Sequence, residues 1–252
     1  MDRREQSDAS VAVSIVMKKM SILGVDFEVC YDTHNSSFWG MPGWGTMEYI
    51  EIYNYFVEHR GVSFVDLGAW IGPMTLFAAK LYDKVYAVEP DPRAFDELKA
   101  NVKLNGFSNV EMIQKAVFDS SKTEIIIGDN YGDFGDSGTS IFQAKNAISV
   151  PCITLREIFS TYNIPKHSLI KMDVEGSEYC LFDDIDFFEI YKPVIWVEFH
   201  FEQMKDNAKQ LENALKKLSR FYHSPDVDVF INSKCVQHCK IYPYENCSVP
   251  LS

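Results

Sequence analysis

Residues 64 to 72 read Phe-Val-Asp-Leu-Gly-Ala-Trp-Ile-Gly, the order of a strand tip, a glycine turn and a helix start. Asp66 stands at the tip, Gly68 and Gly72 shape the turn, and Pro73 opens the helix, where its missing N–H costs nothing. Such a junction binds a nucleotide-like ligand over the end of a parallel sheet. A dinucleotide fingerprint needs G-x-G-x-x-G, whose helix terminus receives a pyrophosphate. The spacing here is D-x-G-x-x-x-G instead. A carboxylate is unfavourable beside phosphates and favourable beside an ammonium group. The pattern therefore disfavours a nicotinamide dinucleotide and points to S-adenosylmethionine, a nucleoside that carries an ammonium.

In a doubly wound sheet, ligands sit beyond the carboxyl ends of the strands. The other strand tips are Glu89, Gln114 with Lys115-Ala116, Asp173, and Glu198 with His200. Glu89 follows Gly68 by twenty-one residues, a distance at which a carboxylate can accept hydrogen bonds from both ribose hydroxyls. The expected cofactor contacts are Asp66, Gly68, Ala69, Gly72, Thr75, Glu89, Pro90, Lys115, Ala116 and Asp173, with Lys115-Ala116 at the adenine. Methyl transfer to a hydroxyl also needs a base for the departing proton. Asp173 is the first candidate, as base or as the group that orients the acceptor. His200, whose ordinary pKa is near 6.5, and Glu175 follow. A Mg²⁺ ion on Asp173, Glu198 and His200 is a further possibility.

The elements that must position these groups alternate along the chain. Hydrophobic runs predict strands at Phe64–Leu67, Lys84–Val88, Val110–Ile113, Glu124–Ile127, Leu169–Met172 and Val194–Val197, with helices between most of them. Asp91-Pro92 starts one helix, with Phe95, Leu98 and Val102 on a single face, and Thr154 caps another. Glu175-Gly-Ser-Glu178 can equally begin a helix, where glutamates suit the first turn. The expected fold is α/β: a doubly wound, mostly parallel seven-stranded sheet. It carries an antiparallel edge hairpin (Val227–Ile231 with Val236–Ile241) and a small N-terminal β/aromatic extension. Residues 1–59 form that extension: a hairpin of Val11–Met17 with Val25–Tyr31, an aromatic loop around Trp39 and Trp44, and a helix from Met47. Residues 60–252 form the ligand-binding body, the whole being one compact domain. The loop aromatics serve either as packing or as a platform for an adenine or a sugar face.

The 252 residues carry a net charge of −12, which argues against a general nucleic-acid binder. No run is long enough to span a bilayer and the start is unlike a secretory signal, so a cytoplasmic enzyme is expected. Cys235, His238, Cys239 and Cys247 lack the second ligand pair of a structural zinc site, and the three cysteines read as free thiols. The Gly128–Gly138 loop fails the calcium-loop pattern.

Val65-Asp-Leu-Gly-Ala-Trp-Ile-Gly-Pro-Met-Thr-Leu, Ala87-Val-Glu-Pro-Asp-Pro, Asn101-Val-Lys-Leu-Asn105, Ile153-Thr-Leu and Leu169-Ile-Lys-Met-Asp-Val-Glu-Gly-Ser-Glu178 occur in this order. Together they resemble the FkbM family of class I S-adenosylmethionine-dependent methyltransferases over about residues 60 to 200. The resemblance implies the Rossmann-like methyltransferase fold and O-methylation of a hydroxyl on a sugar, glycan or small natural product. One position departs: Trp70 stands where the family typically has asparagine. N-methylation of a protein or small molecule is an alternative, but the Asn/Asp-Pro-Pro-aromatic motif of nitrogen acceptors is replaced by Asp173-Val-Glu-Gly. A catalytically silent cofactor-binding module is the other alternative, and it would not need Asp66, Gly68, Gly72 and Glu89.

Overall fold

The computed structural model describes residues 16–31, 33–40, 47–61, 63–119, 122–129, 135, 137–141, 145–200, 203, 208–220, 222–223 and 238–243. Strands β1 (Met17–Ile22) and β2 (Val25–Cys30) form an antiparallel hairpin, followed by α1 (Ser36–Gly40) and α2 (Met47–Glu58). Next come β3 (Ser63–Leu67), α3 (Pro73–Ala78), β4 (Lys84–Val88), α4 (Pro92–Leu104) and β5 (Val110–Ile113). After β6 (Ala116–Val117), β7 (Glu124–Asp129) and β8 (Lys145–Ile153), the chain forms α5 (Leu155–Thr161), β9 (Leu169–Met172), α6 (Glu178–Leu181), α7 (Ile185–Tyr191) and β10 (Val194–Glu198). It closes with α8 (Ala208–Leu218), β11 (Tyr222–His223) and β12 (His238–Pro243).

The main sheet has seven strands in the order β11-β12-β10-β9-β3-β4-β5 and is mixed. The pairs from β10 to β5 are parallel, whereas β12 is antiparallel to both β10 and β11. Side chains alternate across a strand, so Phe64, Val85, Leu169 and Val194 join the core under α2, α3 and α4. Val65, Tyr86, Ile170 and Ile195 join the core under α5, α7 and α8. With both faces covered, the central strands are continuous apolar runs. Asp66 and Lys171 are the exceptions, and they face each other across β3 and β9. Among the described residues no helix is long and apolar enough to cross a membrane.

Several boundaries differ from expectation. The reversed strand β12 lies between β10 and the two-residue edge strand β11, with which it pairs antiparallel, while the Val227–Ile231 arm of the expected hairpin falls outside the described residues. The first arm of the N-terminal hairpin is Met17–Ile22, not Val11–Met17. Its two-residue turn explains this: Leu23 and Gly24 both have positive φ (49° and 76°), which pairs Ile22 with Val25 and fixes the register. The hairpin is fastened to α4 by two asparagines. Asn101 Oδ1 accepts from Cys30 N–H and Asn105 Oδ1 from Glu28 N–H, each at 2.8 Å. A separate sheet, β6-β8-β7, was not foreseen in its β8 strand. Pro151 interrupts that strand's sequence signal, because proline offers no N–H to a ladder. Trp39 is packed into the core at 1 % exposure and cannot present a sugar platform, while Trp44 lies outside the described residues.

Candidate active site

A cavity of about 270 Å³ opens at the carboxyl ends of β3, β4, β9 and β10. One wall is the turn after β3. The N–H groups of Gly68 and Ala69 both donate to Val88 O (3.0 and 3.1 Å), and Asp173 N–H donates to Leu67 O at 3.2 Å. Gly68 has φ 73°, and a Cβ there would lie 1.8 Å from Asp173 O, so only glycine lets the two strand tips touch. Trp70 follows at φ 49°, an uncommon conformation for a bulky residue. Gly72 (φ 99°) leads into α3, whose helix start is packed against Leu98.

Glu89 lines this wall although it is almost fully buried. Its Oε1 accepts from Asp91 N–H and its Oε2 from Trp70 N–H, both at 2.8 Å. Burial pushes its carboxyl up to about 8, against the stabilising pull of those two donors. Each oxygen keeps a second lone pair, the arrangement a vicinal diol needs.

The expected cofactor contacts divide into two groups. Gly68, Ala69, Glu89, Pro90, Lys115, Ala116 and Asp173 line the cavity. Asp66, Gly72 and Thr75 do not. Asp66 is fully buried and accepts from Thr75 Oγ1 at 2.6 Å, with Lys171 Nζ at 3.3 Å. The ammonium expected beside Asp66 is thus supplied by the chain itself. Lys171 belongs to the Leu169–Glu178 segment that carries the family resemblance, but the sequence assigns the lysine no role of its own. The signal available was its register opposite Asp66 in the parallel pair. Its Nζ donates to Gly68 O at 2.8 Å and lies 3.2 Å from Asp173 Oδ2. Burial works against its charge, but Asp173 and Asp66 outweigh it and raise the pKa, so the ammonium persists.

The opposite wall is charged. Glu178, wholly buried at the start of α6, accepts from Val174 N–H and Gly176 N–H (3.2 Å each) and lies 2.9 Å from His200 Nδ1. That contact turns His200 Nε2 toward Asp173 (3.7 Å), Glu175 (3.6 Å) and Glu198 (4.0 Å). Burial disfavours the imidazolium, yet Glu178 and the other carboxylates raise it to about 9. A protonated imidazole has no free lone pair on Nε2, which weighs against His200 as the base and in favour of the carboxylates. Glu175, at φ 51° and held by Gln203 Nε2 at 2.8 Å, is pushed up to about 7 by burial, with His200 pulling the other way. Asp173, Glu175 and His200 place ligand-type atoms within 4.8 Å of one another, a set that could hold a divalent ion once the imidazole gives up its proton. Glu175, not Glu198, completes that set.

The methyltransferase FkbM domain matches residues 59–224. An uncharacterised protein of Methanocaldococcus jannaschii is 49 % identical over 49 residues, 19 % of this chain and 19 % of that protein. The methyltransferase FkbM of Methylobacillus flagellatus superposes with a TM-score of 0.46 at 16 % identity, over 73 % of this chain and 44 % of that one. A 16S rRNA N2 G1207 methyltransferase of T. thermophilus, in complex with AdoMet and guanosine, gives 0.44 at 11 %, over 91 % and 50 %. The chain therefore spans half or less of each of these relatives. With the domain match covering most of its sheet and both walls of the cavity, the chain belongs to the FkbM methyltransferase family.

Proposed function

We propose that the protein is an S-adenosylmethionine-dependent O-methyltransferase whose acceptor is a hydroxyl of a sugar, a glycan or a small natural product. The observation that carries this reading is one cavity with two unlike walls. Glu89 and the glycine turn offer hydrogen bonds suited to a ribose diol, and Asp173 and Glu175 offer carboxylates suited to a hydroxyl. The residues fit the cofactor, since Gly68, Ala69 and the Glu89 carboxylate line one cavity together with the Asp173 carboxylate.

When bound, S-adenosylmethionine would supply the methyl group and, in its sulfonium sulfur, the leaving group. The protein's part is alignment and one proton. Asp173, held by Lys171, accepts a hydrogen bond from the acceptor hydroxyl and orients it. Glu175, raised to about 7, takes the proton as the oxygen attacks. His200 keeps Asp173, Glu175 and Glu198 together as a cation among them.

The test is incubation with methyl-labelled cofactor and a library of hydroxylated glycans and natural products. Label on an acceptor oxygen supports the reading. Label found solely on nitrogen, or no binding of S-adenosylhomocysteine by calorimetry, overturns it.

A further inference from the structure

The Gly135 peptide unit is held on both sides. Its N–H donates to Asp91 Oδ2 at 2.8 Å, and its carbonyl accepts from the Trp70 indole N–H at 2.6 Å and from Asn35 Nδ2 at 2.8 Å. Thr139 Oγ1 donates to the same Asp91 oxygen at 2.9 Å. Five residues beyond Gly135, Ser140 exchanges two backbone hydrogen bonds with Gly128 at 3.0 Å, which ties the segment to β7. Between these anchors Ser137, Thr139, Ser140 and Ile141 line the cavity. They stand with Val117, Ile125 and Ile127, an apolar wall suited to a flat base.

Trp70 joins this segment to the turn. Its backbone N–H holds Glu89, its indole N–H holds Gly135, and its ring meets Phe38, another cavity residue, edge-on at 4.4 Å. The positive φ of Trp70 aims the backbone and the side chain at these two partners together. Asparagine, the residue expected at this position, is too short to supply the same ring contact and reach.

We propose that Trp70 is a positioning residue for the adenosine half of the cofactor. It clasps Gly135, and with it the cavity residues Ser137, Thr139, Ser140 and Ile141, to the β3 turn, and so sets the wall against which the base packs. Its effect falls on the nucleoside and not on the amino-acid tail. This rests on the S-adenosylmethionine reading, and the test separates the two.

The probes are S-adenosylhomocysteine and 5′-methylthioadenosine, which lacks the amino-acid tail, measured by calorimetry on the full chain. Trp70→Phe keeps a ring against Phe38 and loses the indole N–H. We expect it to weaken both ligands by the same factor, about tenfold for a lost anchoring hydrogen bond. Asn35→Ala, outside the cavity lining but on the same carbonyl, weakens both by a smaller common factor. The double variant falls short of the product of the two, because they share one acceptor. Thermal unfolding of each variant confirms that it is folded. Unchanged affinity in Trp70→Phe overturns the clasp, and so does weakening of S-adenosylhomocysteine alone. Wild-type protein that binds neither probe overturns the cofactor reading itself, and the clasp with it.

Discussion

At the tip of β3 the cavity wall consists of peptide groups. At the tips of β9 and β10 it consists of titratable side chains. The first wall is set by backbone contacts: two N–H groups on Val88 O, two more on Glu89, and a glycine pressed against Asp173 O. The second is set by charge: His200 among Glu178, Asp173, Glu175 and Glu198, beside Lys171 on Asp173. Peptide groups do not titrate and barely move, which suits recognition of a fixed ligand shape. Coupled carboxylates and an imidazolium shift their protons with their surroundings, which suits chemistry. Changes at the first wall should therefore act on folding and affinity, and changes at the second on turnover.

The largest effect is expected at the point where the walls touch. In Gly68→Ala the added Cβ meets Asp173 O and the positive φ is strained, so unfolding in urea should show a loss of about 3 kcal/mol or more. A stable variant would mean that the strand tips are not in contact. Next, Glu175→Gln should lower kcat by about 100-fold while calorimetry finds S-adenosylhomocysteine affinity unchanged. In the wild type, turnover should rise with pH through about 7 as Glu175 loses its proton, and this limb should vanish in the variant. A retained limb would move the base elsewhere, with Asp173 next in line.

A smaller effect is expected at Glu89, where Glu89→Gln should weaken S-adenosylhomocysteine by about tenfold and leave kcat largely intact. The free carboxyl is pushed up to about 8, and ribose hydroxyls donate best to its ionised form. Affinity should therefore climb as the pH rises through that value in the wild type and stay flat in the variant. A drop in kcat with unchanged affinity would erase the division between the walls. The smallest effect is expected from a chelator. His200 already supplies a cation among the carboxylates, so removing divalent ions should leave turnover unchanged. A loss restored by Mg²⁺ would instead put an ion on Asp173, Glu175 and His200.

The first wall was far easier to read from the sequence than the second. Gly68 with Ala69 and Glu89 with Pro90 line the cavity, and each pair is legible because it directly follows a strand whose end the sequence marks. Asp66 was legible as a residue but not in its role, since its partner Lys171 is more than a hundred residues away and meets it through strand register alone. The carboxylates at 173, 175 and 198 were visible at their strand tips. Their division of labour was not, because it depends on Glu178 turning the His200 ring. Likewise Trp70 stands out in the sequence as a departure from the family, while the Gly135 carbonyl that it holds belongs to the Gly128–Gly138 loop, whose sequence shows no more than a failed calcium-loop pattern.

Short apolar runs, glycine spacing and the carboxylates at strand tips determined the central strands, the turn and the sheet end where the cavity opens, because each of these depends on a few consecutive residues. Tertiary structure alone decided which charges neutralise each other, which histidine nitrogen faces the cavity, and where β12 enters the sheet. Those outcomes depend on distances between segments far apart in the chain and on the low dielectric of their burial, neither of which is written in any local stretch of sequence.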